Sequence, residues 1–238
     1  MNIVFAILNP AVVRSFEMTF RFLCASGHRV TVLHGIYDRR PLNVEHALRA
    51  CKSELSNFEV LPILFRKKWV RLSNVRELIN YANYFRSQHP APWEARRWLR
   101  RISKPIKKMI KKREIVTKLL AREKILSALK LIERVIPPDK DILHWLKANQ
   151  PDVVIASPFI LPFSPEIEYI KAANALGLPT AAIVLSWDNL TTKGTFHIIP
   201  DTTFVWNDAL AKEAGHFMMS RRTRFLSPAH RCLTSGLK

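Results

Sequence analysis

Acidic residues are scarce in this chain. Nineteen Asp and Glu stand against 38 Lys and Arg, a formal net charge of +19 over 238 residues. Cysteine is rarer still: Cys24, Cys51 and Cys232 lie at no metal or disulfide spacing. That excludes a disulfide scaffold or zinc finger and fits a reducing compartment. No His-x-x-x-His or Cys-x-x-Cys pairs occur, so no metal site is expected. The six glycines form no Gly-x-Gly-x-x-Gly. This argues against NAD or FAD, because side chains in the first loop would block the pyrophosphate. No apolar run approaches the roughly 20 residues needed to span a bilayer. Ile3 to Leu8 has no basic residue before it and stops at Asn9-Pro10, so it is not a signal peptide. A cytoplasmic protein is expected.

What is present is a chain that can fold. Apolar residues make up 48% and charged residues 24%, which excludes wholesale disorder and leaves room for one large domain or two small ones. The positive charge is concentrated. Residues 66–124 carry 19 Lys and Arg against 4 Asp and Glu, a net of +15, and residues 215–238 carry a net of +5. The remainder is close to neutral.

Ile3 to Leu8 reads as a strand buried on both faces, as in a parallel sheet. Phe16, Phe20, Leu23 and Cys24 recur at helical spacing, and Gly27 closes that helix. Val30–Leu33 is a second strand, and Phe58–Ile63 a third. Residues 73–147 read as helical, broken near Pro90-Ala91-Pro92 and Pro105 and ended in their main part by Pro137-Pro138. Strands then alternate with helices: Val153–Ala156, a helix from Pro165 to Leu176 capped by Gly177, Thr180–Leu185, Thr202–Trp206, and a helix near Asn207-Asp208. The expected fold class is α/β: a Rossmann-like, mainly parallel sheet with flanking helices and a basic helical insertion. Residues 1–65 and 141–214 would form the Rossmann-like domain, 66–140 the insertion, and 215–238 an irregular tail. Ligands in such sheets bind beyond the carboxyl ends of the strands. Here those ends are Asn9-Pro10, His34-Gly35, Ser157-Pro158, Ser186 to Asn189 and Trp206-Asn207.

The opening strand, Asn9, and the helix carrying Arg14, Phe16 and Glu17 resemble the start of GT-B glycosyltransferases. So do Gln150-Pro151-Asp152-Val153-Val154 and Ala175-Leu176-Gly177-Leu178-Pro179. The most specific run is Ser186-Trp187-Asp188-Asn189-Leu190-Thr191-Thr192-Lys193-Gly194, followed by Pro200-Asp201 and Val205-Trp206-Asn207. It is similar to bacterial glycosyltransferase-like proteins of surface-polysaccharide synthesis. The resemblance covers about residues 1–35 and 141–214. It implies an N-terminal acceptor-side domain that would face a second, donor-binding domain across a cleft, a nucleotide-sugar donor, a glycan or lipid-linked acceptor, and no required metal or other cofactor. Only the first domain is matched, so the chain alone is expected to be inactive.

The resemblance breaks off after Ala214. The last 24 residues hold no acid and show no strand pattern. Met218 and Met219 have a single codon each, and a reading two bases later would give His or Tyr and then Asp. One expectation is therefore a frameshift near Gly215 in a two-domain enzyme, and the alternative is a natural basic tail.

The strand ends and the resembling run nominate Asn9, Arg14, Glu17, Ser157, Ser186, Trp187, Asn189, Thr192 and Lys193 as substrate-binding. Asp188 is the candidate general base. Each has a plainer reading. Asp188 and Asn189 could cap a turn. Trp187 could stack on a sugar ring or lie in the core. Lys193 and Arg14 could pair with a phosphate or be solvated. His34 is read as a core histidine in preference to a base.

In the insertion, Leu99, Ile102, Ile106, Met109, Ile110, Val116, Leu119 and Leu120 form an apolar stripe among lysines and arginines. Such a helix fits an anionic membrane surface, with the stripe at the interface and Lys104, Lys107, Lys108, Lys111, Lys112 and Arg113 facing headgroups. Polybasic segments gain about 1 kcal/mol per basic residue there. A peripheral place on the inner membrane face is the expectation. The alternative packs the stripe on the domain and leaves the charges in water. A non-catalytic membrane or nucleic-acid binding module is the competing function. No nucleic-acid recognition motif accompanies the charge, so specific nucleic-acid binding is not expected. Nothing in the sequence speaks to oligomeric state.

Overall fold

The computed structural model describes residues 1–35, 44–64, 69–86, 102–111, 119–120, 122–159, 164–186, 194–218 and 224–227. Seven strands form one all-parallel sheet: β1 (Asn2–Ile7), β2 (Arg29–His34), β3 (Phe58–Pro62), β4 (Val153–Ala156), β5 (Thr180–Ile183), β6 (Thr202–Phe204) and β7 (Arg224–Leu226). Their order is β3-β2-β1-β4-β5-β6-β7. Helices cover both faces, and the fold is a Rossmann-like α/β.

The alternation within β1 explains the two layers. Ile3, Phe5 and Ile7 point to one face, where they join Phe16, Phe20 and Cys24 around α2 (Glu17–Ala25) and Leu48 and Cys51 of α3 (Val44–Glu54). The Phe5 and Phe20 rings meet edge to face at 5.1 Å, an arrangement that aromatic quadrupoles favour. Val4 and Ala6 point to the other face. There they meet Ile142 and Leu146 of α7 (Lys140–Asn149), Ile167 and Ile170 of α8 (Glu166–Ala175), and Leu210 and Ala214 of α9 (Asp208–Met218). Before α2 the chain makes one short helical turn, α1 (Pro10–Val13), and a 3-10 turn at Arg14–Phe16. Gly27 and Gly177 carry the positive φ that ends α2 and α8, as their positions in the sequence foretell.

The segment between β3 and α7 builds a second core. It contains α4 (Trp69–Arg86), α5 (Lys104–Lys111) and α6 (Glu123–Val135). Ile79, Tyr81 and Ala82 of α4 pack with Ile102, Ile106, Ile110, Leu120 and Leu126. Of the apolar stripe of the basic segment, Ile102, Ile106, Ile110 and Leu120 are thus turned inward, whereas Leu119 is 45% exposed. Those four residues pack against the protein's own helices. Lys104 and Lys108 remain exposed, and Lys107 is half-buried. Lys111 closes α5, and its side chain, with Lys112 and Arg113, lies outside the described residues.

This second core meets the sheet domain through buried charge. Arg76 of α4 donates through Nη2 to Glu133 Oε1 of α6 at 2.8 Å, and also to Glu168 of α8. Lys171 of α8 donates to Glu133 Oε1 at 3.1 Å and to the Glu133 carbonyl. All four side chains are at most 5% exposed. Burial lowers the Arg76 pKa, but the bond and charge of Glu133, joined by those of Glu168, outweigh it and leave the guanidinium above its ordinary value.

The last 24 residues are not wholly irregular, contrary to the expectation from sequence. α9 continues to Met218, and Arg224–Leu226 pairs in parallel with β6 as the edge strand. Three residues suffice for an edge strand, because only one side of the ladder needs a partner.

Candidate functional site at the carboxyl ends of the strands

The strand order reverses between β1 and β4, the topological switch point of the sheet. Their carboxyl ends lie in register, with Ala6 opposite Ala156, and the Ser157 N–H donates to the Ala6 carbonyl at 3.2 Å. The chain leaves β1 through Leu8 and Asn9. The Leu8 carbonyl accepts from the Gly35 N–H beyond β2 at 3.0 Å. A Cβ at Gly35 would lie 2.6 Å from that oxygen, so the close approach of these two loops requires glycine.

Glu166, the first residue of α8, is tied to the end of β1. Its Oε1 accepts from the Leu8 N–H at 2.6 Å, and its Oε2 takes the Ser164 hydroxyl. The carboxyl is fully buried, and burial raises its pKa to about 7, against the pull of those two bonds. After β4 the chain passes a cis Ser157-Pro158 bond into Phe159, a buried residue at φ +56°. That conformation is strained for a bulky side chain. It is held by packing, with the Phe159 and Phe196 rings 5.4 Å apart.

The residues nominated from sequence separate here. Asn9 is exposed at the β1 end, with its carbonyl accepting from Val12. Arg14 is exposed on the 3-10 turn. Ser186 is half-buried just beyond β5. Glu17 is committed elsewhere: it pairs with Arg21 at 3.2 Å, and Arg21 also reaches Glu54 of α3. Ser157 is fully buried, and its hydroxyl donates to the Ile183 carbonyl at 3.0 Å. It ties β4 to β5 and does not present a hydroxyl to a ligand. His34 is half-buried at the end of β2, with a buried Nδ1 that has no partner among the described residues. Trp187, Asp188, Asn189, Thr192 and Lys193 lie outside the described residues.

The two ends flanking that run are well defined. Ser186 precedes it. After it, Gly194 to Ile198 is buried, and the Thr195 N–H donates to Asn80 Oδ1 of α4 at 2.8 Å. The insertion therefore clamps the far end of the segment carrying Asp188. His197 is fully buried there. Its desolvation, together with the nearby Arg76 and Lys130 charges, lowers its pKa well below the ordinary histidine value.

Sequence reasoning missed Glu166 and Phe159. A glutamate in the first turn of a helix reads as a solvated dipole partner, and only the tertiary fold buries it. Among the described residues, no three His, Cys, Asp or Glu side chains converge as metal ligands would. No described helix is long and apolar enough to cross a membrane. A cavity of about 550 Å³ lies at the opposite, amino-end edge of the sheet, lined among others by Val135, Pro138, Lys171, Asn174, Ile198 and Asp201.

The sequence matches no protein-family model and no curated protein. Among solved structures, the chain is similar to UGT89C1 of Arabidopsis thaliana, determined in complex with quercetin. Identity is 17% and the TM-score 0.40, over 94% of this chain and 49% of that one. AtPrR2 in apo form gives 11% identity and a TM-score of 0.30, over 94% and 69%. The chain spans about half the length of UGT89C1. The sheet itself defines the fold class.

Proposed function

We propose that this chain is the acceptor-binding domain of a glycosyltransferase that moves a sugar from a nucleotide-sugar donor to a glycan or lipid-linked acceptor. The observation that carries this reading is the β1/β4 switch point, beyond which ligands bind in open parallel sheets. Asn9, His34 and Ser186 stand at the carboxyl ends of β1, β2 and β5, and Ser186 and the Asn80-bound Thr195 flank the run that carries Asp188. The first loop supports it as well. β1 runs into one short turn and a 3-10 turn, with no glycine cradle for a pyrophosphate.

In this reading Asp188 accepts the proton of the acceptor hydroxyl, and Lys193 and Arg14 pair with acceptor or donor phosphate. The donor diphosphate belongs to a second domain, where its departure is stabilised electrostatically. The 238 residues alone bind acceptor and transfer nothing. The test is a titration of the purified chain against a printed oligosaccharide array and against UDP-, GDP- and dTDP-sugars. Glycan binding without sugar-nucleotide binding or transfer is the expected result. Tight sugar-nucleotide binding with no glycan binding would contradict it.

The basic face supports a second element of the proposal, a peripheral contact with anionic lipid. With Ile102, Ile106 and Ile110 buried, the contact is one of charge alone, through Lys104, Lys108 and their neighbours. Charge-only binding is screened as the Debye length falls from about 10 Å at 0.1 M salt to about 3 Å at 1 M. Flotation with phosphatidylglycerol vesicles should show binding at 0.05 M salt, loss by 0.5 M, and weakening in K104E/K108E. Salt-resistant binding to neutral phosphatidylcholine vesicles would show that an apolar face inserts and refute this element.

A further inference from the structure

We propose that Trp206 is a stacking platform for a pyranose ring at the carboxyl edge of the sheet, an inference that rests on the acceptor-binding reading above. Trp206 stands two residues beyond β6, where the strand opens onto the ligand side. Its neighbour Val205 is buried, yet Trp206 is 61% exposed. Large aromatic side chains left in water normally rotate freely. This one has a hydrogen bond that favours a single orientation: its Nε1–H donates to the Val184 carbonyl at 2.8 Å, just past the end of β5.

That bond has two consequences. It uses the sole polar atom of the indole, so what remains for a ligand is an apolar ring. It also favours one orientation of the ring before any ligand arrives, so part of the entropic cost of ordering it is met by the fold and not by binding. A pre-oriented, solvent-facing aromatic surface suits the C–H side of a sugar ring, which it recognises by shape and contact and not by hydrogen bonding. The location agrees with this. Val184, which holds the indole, is two residues before Ser186, so the ring is anchored to the strand that leads into the Asp188 segment. Asn207, next in the chain, is exposed, but its Oδ1 accepts from the Leu210 N–H at 2.8 Å and caps α9. That cap holds the turn carrying Trp206 in place.

The experiment uses the whole chain and a printed array of hexose-containing oligosaccharides, with wild type, W206A and W206F compared for every glycan bound. Stacking predicts a loss of about tenfold in affinity for W206A and a smaller loss for W206F, which keeps a ring but loses the bond to Val184. Acrylamide quenching supplies a readout in the wild-type chain. The emission lost in W206F reports Trp206, and a bound glycan should shield that component. If wild type binds glycans but W206A binds them equally, or Trp206 stays as quenchable as before, the stacking role is wrong and acceptor binding stands. If wild type binds no glycan, the acceptor-binding reading and this inference fall together.

Discussion

Replacing Arg76 with methionine should destabilise the chain by about 3–5 kcal/mol, the usual cost of leaving buried charge without its partner. In the wild type, Arg76 and Lys171 balance Glu133 and Glu168 where almost no water reaches. R76M leaves two carboxylates facing one ammonium. Either one carboxylate takes up a proton or the joint between α4 and α8 opens, and both consume stability. The double variant R76M/E168M removes one charge of each sign and keeps the Lys171–Glu133 pair. It should recover most of the loss, since a buried ion pair is often matched by apolar residues of similar volume. Urea unfolding of the three proteins decides the matter. A loss below about 1 kcal/mol for R76M, or no recovery in the double variant, would mean that the four charges do not act as one unit. The effect should also reach the site. Arg76 and Asn80 lie one turn apart on α4, and Asn80 holds Thr195 at the end of the Asp188 segment.

Glu166 should make the protein less stable as pH rises from about 4.5 to about 7. Its folded pKa, raised to about 7 by burial, lies above the unfolded value of 4.5. Between these values the folded chain holds a proton that the unfolded chain has released, so stability falls as pH rises. The full effect is about 3 kcal/mol, complete near neutral pH. E166Q keeps an oxygen for the Leu8 N–H and a polar group for Ser164, and it does not titrate. The stability difference, wild type minus E166Q, should therefore decline steadily from pH 4.5 to 7 and level off above. His197 acts in the opposite direction. Its folded pKa is depressed, so its contribution is lost as pH falls below the unfolded value of about 6.5. It is common to both proteins and cancels in the difference. Parallel pH profiles for wild type and E166Q would show that the carboxyl is hydrated and does not hold the β1 loop as described.

The strands that carry the switch point were legible because they are buried on both faces. Ile3 to Leu8 and Val153 to Ala156 are unbroken apolar runs between turn residues, and Val30 to Leu33 is interrupted only by Thr31, a pattern typical of parallel sheets. β7 was not legible: Arg224-Phe225-Leu226 is short and basic, and its strand character comes from the open edge of β6. The stripe Ile102, Ile106 and Ile110 was visible as periodicity, but periodicity does not say whether the other side is lipid or protein. Only the packing of α4 and α6 against it answers that. Arg76 read as one more cation in a solvated segment, because its partners lie 57 and 92 residues away. Ser157 was correctly placed at a strand end, but the direction of its hydroxyl, toward Ile183, is set by the neighbouring strand.

The central claim is that sugar acceptors bind at the carboxyl ends of β1, β4, β5 and β6. Hydrogen exchange of the whole chain, with and without the glycan that binds best on the array, tests it most directly. The account predicts slower exchange in peptides covering residues 8–16, 184–198 and 203–208, with residues 134–138 and 171–175 at the amino-end cavity unchanged. Protection confined to residues 134–138 and 171–175 would contradict it and move the binding site to the opposite edge of the sheet.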